Sequence, residues 1–472
     1  MTTLKRVLTL RDLVLFNLVA IIGLRWLATS AKAGPAALVL WLLAALLFFI
    51  PQGLAVVELS RRYPEEGGIY PWTKRALGEG HGFLCGWCYW ICNALYYPNL
   101  LISTAVIATY AFGQGGGTLA SSWPYVLSVT LGALWLAVWL NIVGLSTGRW
   151  LQNAGGIGTY IPGVLLVVFG AWAVMKGEPS ANPMHARDFI PDLTDLSSLN
   201  LWASIAFAFA GLELAPSMGG EIENPERTLP KAVFISAPLI TVIYVLGTAS
   251  LLWLVPVGEL NIVSGFLQGV ERGARDVSPW LVWLTPFAAF AYTVGNVGGV
   301  GAWLSGPARV AFVIGLDRYF PPAFGKVHPR WGTPYVAILA QAGLATVALL
   351  LSVLGRGTKV ETVYLILLDT QLLIYFIPFV YLFLALIILR RRDRVAGGAH
   401  GVSSAVLVGG VGAITTLFAM VIATIPPSGT EHKMLFFVKV VGGAAFFIGI
   451  GGYLYWSASK KNPSDLQLTA RS

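Results

Sequence analysis

Residues 17–35 read NLVAIIGLRWLATSAKAGP. The stretch opens as an apolar run of the kind that enters a membrane. Gly23 then interrupts it, Arg25 follows two residues later, and small and polar residues continue to a Gly34-Pro35 stop. Broken backbone at membrane depth is tolerated only where it lines a cavity or is buried in protein, and a charge there is costly. A second stretch of the same kind, LWASIAFAFAGLELAPSMGGEIENP at 201–225, sets Gly211, Glu213, Pro216 and Gly219-Gly220 into an apolar helix. Two interrupted helices in one chain set the frame for everything else.

The surrounding sequence is that of an integral membrane protein. Of 472 residues, 56% are hydrophobic and 11% charged, and the mean hydropathy is +0.72. Soluble domains carry about 25% charged residues. Seventeen Trp and 53 Gly fit a class in which Trp gathers at the membrane interfaces and Gly is frequent in spanning helices. The first apolar run has no small-residue cleavage site and reads as a retained span. Twelve spans are expected, near 11–33, 36–60, 82–112, 124–146, 152–175, 198–220, 231–256, 280–314, 334–354, 361–389, 402–425 and 433–457. Each is long enough for a hydrocarbon core that takes about 20 apolar residues.

The net charge of +9 follows that topology. With both termini cytoplasmic, the inner segments hold 21 of the 31 Lys and Arg and the outer segments 8, with Arg25 and Lys439 inside spans. This is the bias of the positive-inside rule. It predicts a multi-pass protein of a bacterial inner or plasma membrane, and no nucleic-acid partner. Cys85, Cys88 and Cys92 all fall on span 3 at spacings of three and seven, along one helix face. They read as small packing residues; zinc or redox use is the alternative. Their odd number and single helix argue against a disulfide framework.

Spans 1 and 6, the interrupted ones, are the first members of two five-span halves, 11–175 and 198–389, with two further helices in 402–457. Gly/Pro-interrupted segments at corresponding positions of two halves point to a secondary transporter's midplane site. A pair of ordinary kinks is the alternative. The whole chain, 1–472, reads as one all-α transmembrane domain, with polar outer connections at 113–123 and 176–197.

Three stretches carry a family resemblance. AVVELSRRYPEEGGIYPW at 55–72 resembles the cytoplasmic signature of amino acid–polyamine–organocation permeases. FAFAGLELAPSMGGEIENPERTLPKA at 207–232 is similar to that family's span 6 and following loop. AWLSGPARVAFVIGLDRYFPPAFGKVHPRWGTP at 302–334 is similar to its span 8 and the loop before span 9. Within the family, the AWLSGP stretch and the absence of Gly-Ser-Gly in span 1 look most like bacterial glutamate/GABA antiporters. The NALYYPNLLI of span 3 also resembles plant polyamine and L-type permeases. The resemblance implies a LeuT-type 5+5 inverted repeat with broken helices 1 and 6, and alternating access. It further implies that backbone groups at the two breaks hold an amino acid's carboxylate and amine, free N–H groups facing one way and free carbonyls the other. By position, the implied substrate site holds Ile22, Gly23, Leu24, Arg25 and Ala28 of span 1, Cys88, Tyr89 and Asn93 of span 3, and Phe207, Ala210, Gly211 and Glu213 of span 6. Phe207 falls where relatives carry a gating aromatic. Two departures stand out: Gly23-Leu24-Arg25 replaces the usual Gly-Ser-Gly, and Thr159 stands where proton-coupled or sodium-independent relatives often place a span 5 Lys that neutralises an inner cation site.

The charged residues within spans leave alternatives open. Arg25 either forks onto a substrate carboxylate, ties span 1 to Glu213 or Asp369, or snorkels to an interface. Glu213 either carries a proton or satisfies N–H groups at the span 6 break. Glu58 is expected to pair with nearby cations, and Asp369 to serve a helix–helix contact. All five histidines lie at span ends or in loops. The leading function is a sodium-independent or proton-coupled carrier of amino acids, with a polyamine permease as the alternative substrate class and a transporter-fold sensor or channel as the alternative function. An enzyme would need a His/Asp/Glu cluster or a Ser–His pair near one face, and neither is visible. A Walker motif is absent too. No cofactor and no metal is expected. The partners are a small-molecule substrate and membrane lipid, with homo-oligomerisation left open.

Overall fold

The computed structural model describes residues 6–113, 115, 117–191, 196–353, 360–395, 402–425 and 433–461, with their side chains except at 145–147, 196–200, 352–353, 360–369, 394–395 and 461. Those residues are helical or connecting, with one isolated parallel bridge between Leu8 and Ile222 and no named strand among them. Among the described residues, nine helices are long and apolar enough to cross a membrane, and a bent pair makes ten. The other two of the twelve are span 9, Tyr335–Val353, and span 6, which is split.

Span 1 consists of Leu10–Ile21 and Arg25–Ala31, bent by 43°. Thr9 and Asp12 start it with reciprocal capping bonds, which satisfy two of the orphan amides of a helix N-terminus. The helix stops where Ile22 turns extended. Span 2 runs from Ala36 to Arg62 through a π-turn at Ala45–Phe49. Pro51 lies just beyond that turn. Lacking an N–H and crowding the carbonyl four residues back, proline forces such a local widening. Span 6 is helical over Leu196–Ala208 and resumes as a 3₁₀ helix over Ala215–Glu221. Gly211, at φ +134°, adopts backbone nearly closed to other residues, and a Cβ there would meet Ile21 Cγ1 at 2.8 Å.

Two helices lie outside the span count. Ile69–Leu77 occupies the segment after span 2, and Gly265–Val277 the segment between spans 7 and 8 that carries Arg272 and Arg275. Both are amphipathic, with Tyr70, Trp72 and Thr73 buried in the first and Phe266, Leu267 and Val270 in the second.

Spans 3 and 8 form the centre, with 94% and 89% of their apolar windows buried, while span 12 is peripheral at 17%. Span 8 packs along spans 5 and 3, and span 10 along spans 3 and 11. Spans 5 and 8 meet backbone to backbone, since a Cβ on Gly298 would stand 2.8 Å from the Gly155 Cα. Close approach through small residues is how helices associate where lipid removes the hydrophobic drive. On the outside, Leu42, Leu46, Ile50 and Leu54 of span 2 stand exposed at four-residue spacing, a stripe suited to lipid tails.

Candidate functional site

The two breaks face each other and share one hydroxyl. Tyr244 of span 7 accepts the Gly23 N–H at 3.1 Å. Its own hydrogen has the Ile21 carbonyl at 2.5 Å and the Ala208 carbonyl at 3.0 Å to choose from. The ring stacks on Trp41 at 4.3 Å, whose indole N–H reaches Ser30 and Thr248. Trp303 of span 8 donates to the Ala20 carbonyl at 2.8 Å. Backbone groups that two interrupted helices would leave unmet are thus taken by side chains of spans 7 and 8.

Glu213 anchors the inner side of the span 6 break. It is fully buried and takes four donors. Oε2 accepts from Gly211 N–H at 3.0 Å and Gln52 Nε2 at 2.8 Å. Oε1 accepts from Tyr89 at 3.3 Å and from the Tyr375 hydroxyl. Spans 2, 3, 6 and 10 therefore converge on one carboxyl group. Four donors and no acceptor match an ionised acid, which is acceptor only.

Above this tie lies an aromatic enclosure. Phe207 packs edge-on to Trp26 at 5.7 Å, Tyr375 at 5.3 Å and Tyr96 at 6.4 Å, and Trp303 closes on Tyr96 at 4.7 Å and Tyr375 at 5.6 Å. Arg25, 1% exposed, lies with its guanidinium 4.8 Å from the Trp26 ring and 5.7 Å from that of Tyr96. Cation–π contact is strongest when desolvated. The snorkelling alternative therefore falls. Of the acids considered as partners for Arg25, Glu213 is saturated by the donors above, and the side chain of Asp369 lies outside the described residues. Tyr89, Asn93 and Tyr96 share one stripe of span 3. Asn93 donates to the Tyr89 carbonyl at 2.7 Å, and its Oδ1 is buried with no hydrogen-bond partner among the described residues.

Most of the expected site residues come together here. Ile22, Gly23, Leu24, Arg25, Tyr89, Asn93, Phe207, Ala210, Gly211 and Glu213 are buried at or beside the breaks. Two sit off the cluster. Ala28 packs against Gly265, where an added Cβ would stand 2.8 Å from its own. Cys88 lies with Cys85 and Cys92 on the neighbouring stripe of span 3; all three are free, buried thiols, and Cys85 takes a bond from Thr73. Gln52, Tyr96, Tyr244, Trp303 and Tyr375 were not expected. A lone amide or hydroxyl inside an apolar span is the signal that marks Gln52 and Tyr244. Glu58 pairs with Arg62 at 2.5 Å and Arg390 at 3.1 Å, as its place at the end of span 2 implied.

Ser305 of span 8 is engaged. It has Asn141 Oδ1 at 2.7 Å and the Gly301 carbonyl at 2.9 Å as acceptors, and takes a bond from Gln152 at 3.1 Å. Spans 4, 5 and 8 are linked through it. Thr159 is buried against Gly295 of span 8.

Two broken helices clasped at a buried polar centre are the arrangement of a secondary transporter of small solutes. The amino acid permease family model matches residues 8–446, and the chain belongs to that family. It is 30% identical to an uncharacterized transporter of Legionella pneumophila, over 98% of both chains. It is 29% identical to the serine/threonine exchanger SteT of Bacillus subtilis, over 78% of both. A glutamate/gamma-aminobutyrate antiporter of Lactococcus lactis is 24% identical over 82% of this chain and 77% of its own, in line with the antiporter-like features of spans 1 and 8. The crystal structure of MhsT in complex with L-phenylalanine superposes with a TM-score of 0.59 over 96% of this chain and 99% of its own, at 16% identity. The fold is therefore the LeuT type that the family resemblance implied.

Proposed function

We propose that the protein exchanges amino acids across the cell membrane without sodium, binding the substrate by its carboxylate and ammonium between spans 1, 3 and 6. Both termini face the cytoplasm in this reading, by the Lys/Arg bias. The observation that carries it is the pairing of two unlike groups on one aromatic wall. Arg25 offers a planar guanidinium to a carboxylate, and Asn93 Oδ1, one turn from Tyr96, offers a buried acceptor to an ammonium. A buried acceptor without a donor is costly, and a bound ammonium removes that cost. Two relatives, the serine/threonine exchanger and the glutamate/gamma-aminobutyrate antiporter, are named for amino acids, which agrees with the pairing; a probable agmatine/putrescine antiporter of Lactococcus lactis, 23% identical, is named for amines. For Glu213, the four-donor geometry favours the role of a tie over that of a proton carrier. The test is counterflow in proteoliposomes with the twenty amino acids, gamma-aminobutyrate and putrescine. Exchange restricted to carboxylate-bearing solutes is expected, and exchange of none of them sinks the reading.

Phe207 closes the enclosure over that position. Phe207→Ala should lower initial exchange per folded molecule about tenfold, equivalent to ~1.4 kcal/mol, while expression falls less. Equal exchange per folded molecule would show that the ring does not face the substrate.

Sodium independence rests on Ser305. Its hydroxyl already serves Asn141, Gly301 and Gln152, so it has little left for a cation that needs several oxygens. Replacing external sodium by choline should leave the initial exchange rate unchanged. A steep rise with external sodium refutes the assignment.

A further inference from the structure

The end of the bundle that carries the N-terminus is latched by a separate polar cluster built on Glu66, Glu221 and Arg309, remote from both breaks in role. Val7 and Leu8 donate their amides to the Glu221 carbonyl at 2.9 and 3.1 Å, and Glu223 donates to Leu8 at 3.0 Å. The loop 64–68 seals the other side: Gly67 donates to Ser217 at 3.1 Å, and the Gly220 N–H reaches Glu66 Oε2 at 2.8 Å. Beneath this latch sit two carboxyl groups and one guanidinium. Arg309 of span 8 forks onto Glu221, Nε to Oε2 at 2.6 Å and Nη2 to Oε1 at 3.1 Å, and its Nη1 is spent on the Ser305 carbonyl at 2.8 Å. Glu66 Oε1 stands 3.7 Å from the same Nε, beyond a hydrogen bond, and has no hydrogen-bond partner among the described residues.

The charges do not balance if both acids are ionised. One guanidinium, already bidentate to Glu221, faces two carboxylates, that of Glu221 buried and that of Glu66 14% exposed with its Oε1 buried, and like charges so placed cannot both ionise cheaply. The groups that face Glu66 are Glu221 from the 3₁₀ segment, Arg309 from span 8 and the Gly220 amide; the neighbouring Glu65 turns away to Arg75 at 2.8 Å. We propose that this cluster is a proton-binding site of the closed gate: Glu66 holds one proton on Oε1 while Glu221 keeps Arg309, and the proton passes to water when this end opens and Glu66 is solvated. Burial, with the Glu221 carboxylate second, pushes the Glu66 carboxyl from 4.5 up to about 8, against the opposing pull of Arg309. The inference rests on alternating access by this family, and it adds a site that the substrate-binding reading does not use.

The sign of the effect follows from linkage. The closed form binds one proton more than the open form between the ordinary value of 4.5 and about 8. Closure is therefore strongest at low pH and weakens up to tenfold per pH unit across that window, levelling off above it. The experiment is hydrogen–deuterium exchange of the full chain in proteoliposomes without substrate, from pH 5.5 to 9, with exposure times scaled to equal intrinsic exchange. Protection of the amides in 6–9 and 217–223 should fall with pH up to about 8 and then flatten. Glu66→Gln, a neutral mimic of the protonated acid, should hold protection high and flat over the whole range. Glu221→Gln hands Arg309 to Glu66 and should likewise abolish the slope, and it serves as the second reading if Glu66→Gln is not recovered folded. No slope in the unmodified protein, or a slope that survives in either variant, overturns the proposal. Counterflow at fixed pH 6.5 separates the two readings, since its loss bears on the substrate site and not on the proton.

Discussion

Glu213→Ala is expected to cost more folded protein than any other single substitution at the site. The change removes the one acceptor shared by Gln52, Tyr89, Tyr375 and the Gly211 amide. Each donor stranded in the interior costs about 1–3 kcal/mol. Even with half of them met by water in the new cavity, the loss is about 2–6 kcal/mol, against a total stability of about 5–15 kcal/mol. Glu213→Gln should be much milder. It keeps one acceptor oxygen, and Gln52, whose Oε1 has no hydrogen-bond partner among the described residues, can turn its amide to meet the new NH₂. The order unmodified, Gln, Ala should appear in the thermal midpoint of the detergent-purified protein and in the fraction recovered monodisperse. If Ala is as stable as the unmodified chain, the carboxylate is not the tie. If Gln keeps the fold yet loses all exchange, the acid has a role in transport beyond holding four helices.

How much of this was legible in the sequence varies by the range of the interaction involved. The breaks at Gly23 and Gly211 were, because glycine, proline and charge inside an apolar run are local signals that need no partner to be read. Glu213 was visible for the same reason. Of its four donors, the Gly211 amide two residues away is the break N–H that the sequence offered it, but the other three were hidden: Gln52, Tyr89 and Tyr375 lie 161, 124 and 162 residues away, and no periodicity connects them. The same holds for Tyr244, which meets span 1 across 221 residues. The helices Ile69–Leu77 and Gly265–Val277 escaped the span count because they are amphipathic and short, so hydropathy alone reads them as connections. Ala28 has a neighbour that the sequence did not reveal. Its position in the short second half of span 1 sets it against Gly265, a matter of rotation about a bent axis that sequence spacing does not fix. The pair Glu66 and Glu221 stood in plain view within the two quoted signatures, but their competition for Arg309 exists only once loop 64–68, the 3₁₀ turn and span 8 are folded together.

The remaining large effect concerns what the transporter accepts, and it turns on Arg25. A polyamine carries two or more positive charges. Placed near a guanidinium at the span 1 break, it is repelled by several kcal/mol if the site is dry and by about 1 kcal/mol if water fills it. A carboxylate gains from the same charge, and the Trp26 and Tyr96 faces hold the guanidinium plane in place. A hydrogen bond to a charged group contributes about 1.5–3 kcal/mol, so Arg25→Ala should raise the apparent KM for the exchanged amino acid roughly 10- to 150-fold, with most of the folded protein retained. Arg25→Lys keeps the charge and loses the fork and the ring stacking, and should fall between the two. A structural tie makes the opposite forecast. Arg25→Ala would then fail to fold, and removal of its acidic partner in the same chain would restore the fold with KM unchanged. Initial-rate exchange at varied substrate, normalised to folded protein, distinguishes these outcomes. Saturable putrescine or spermidine uptake by the unmodified protein would exclude the carboxylate assignment altogether, because the charge that draws one class into the span 1 break expels the other.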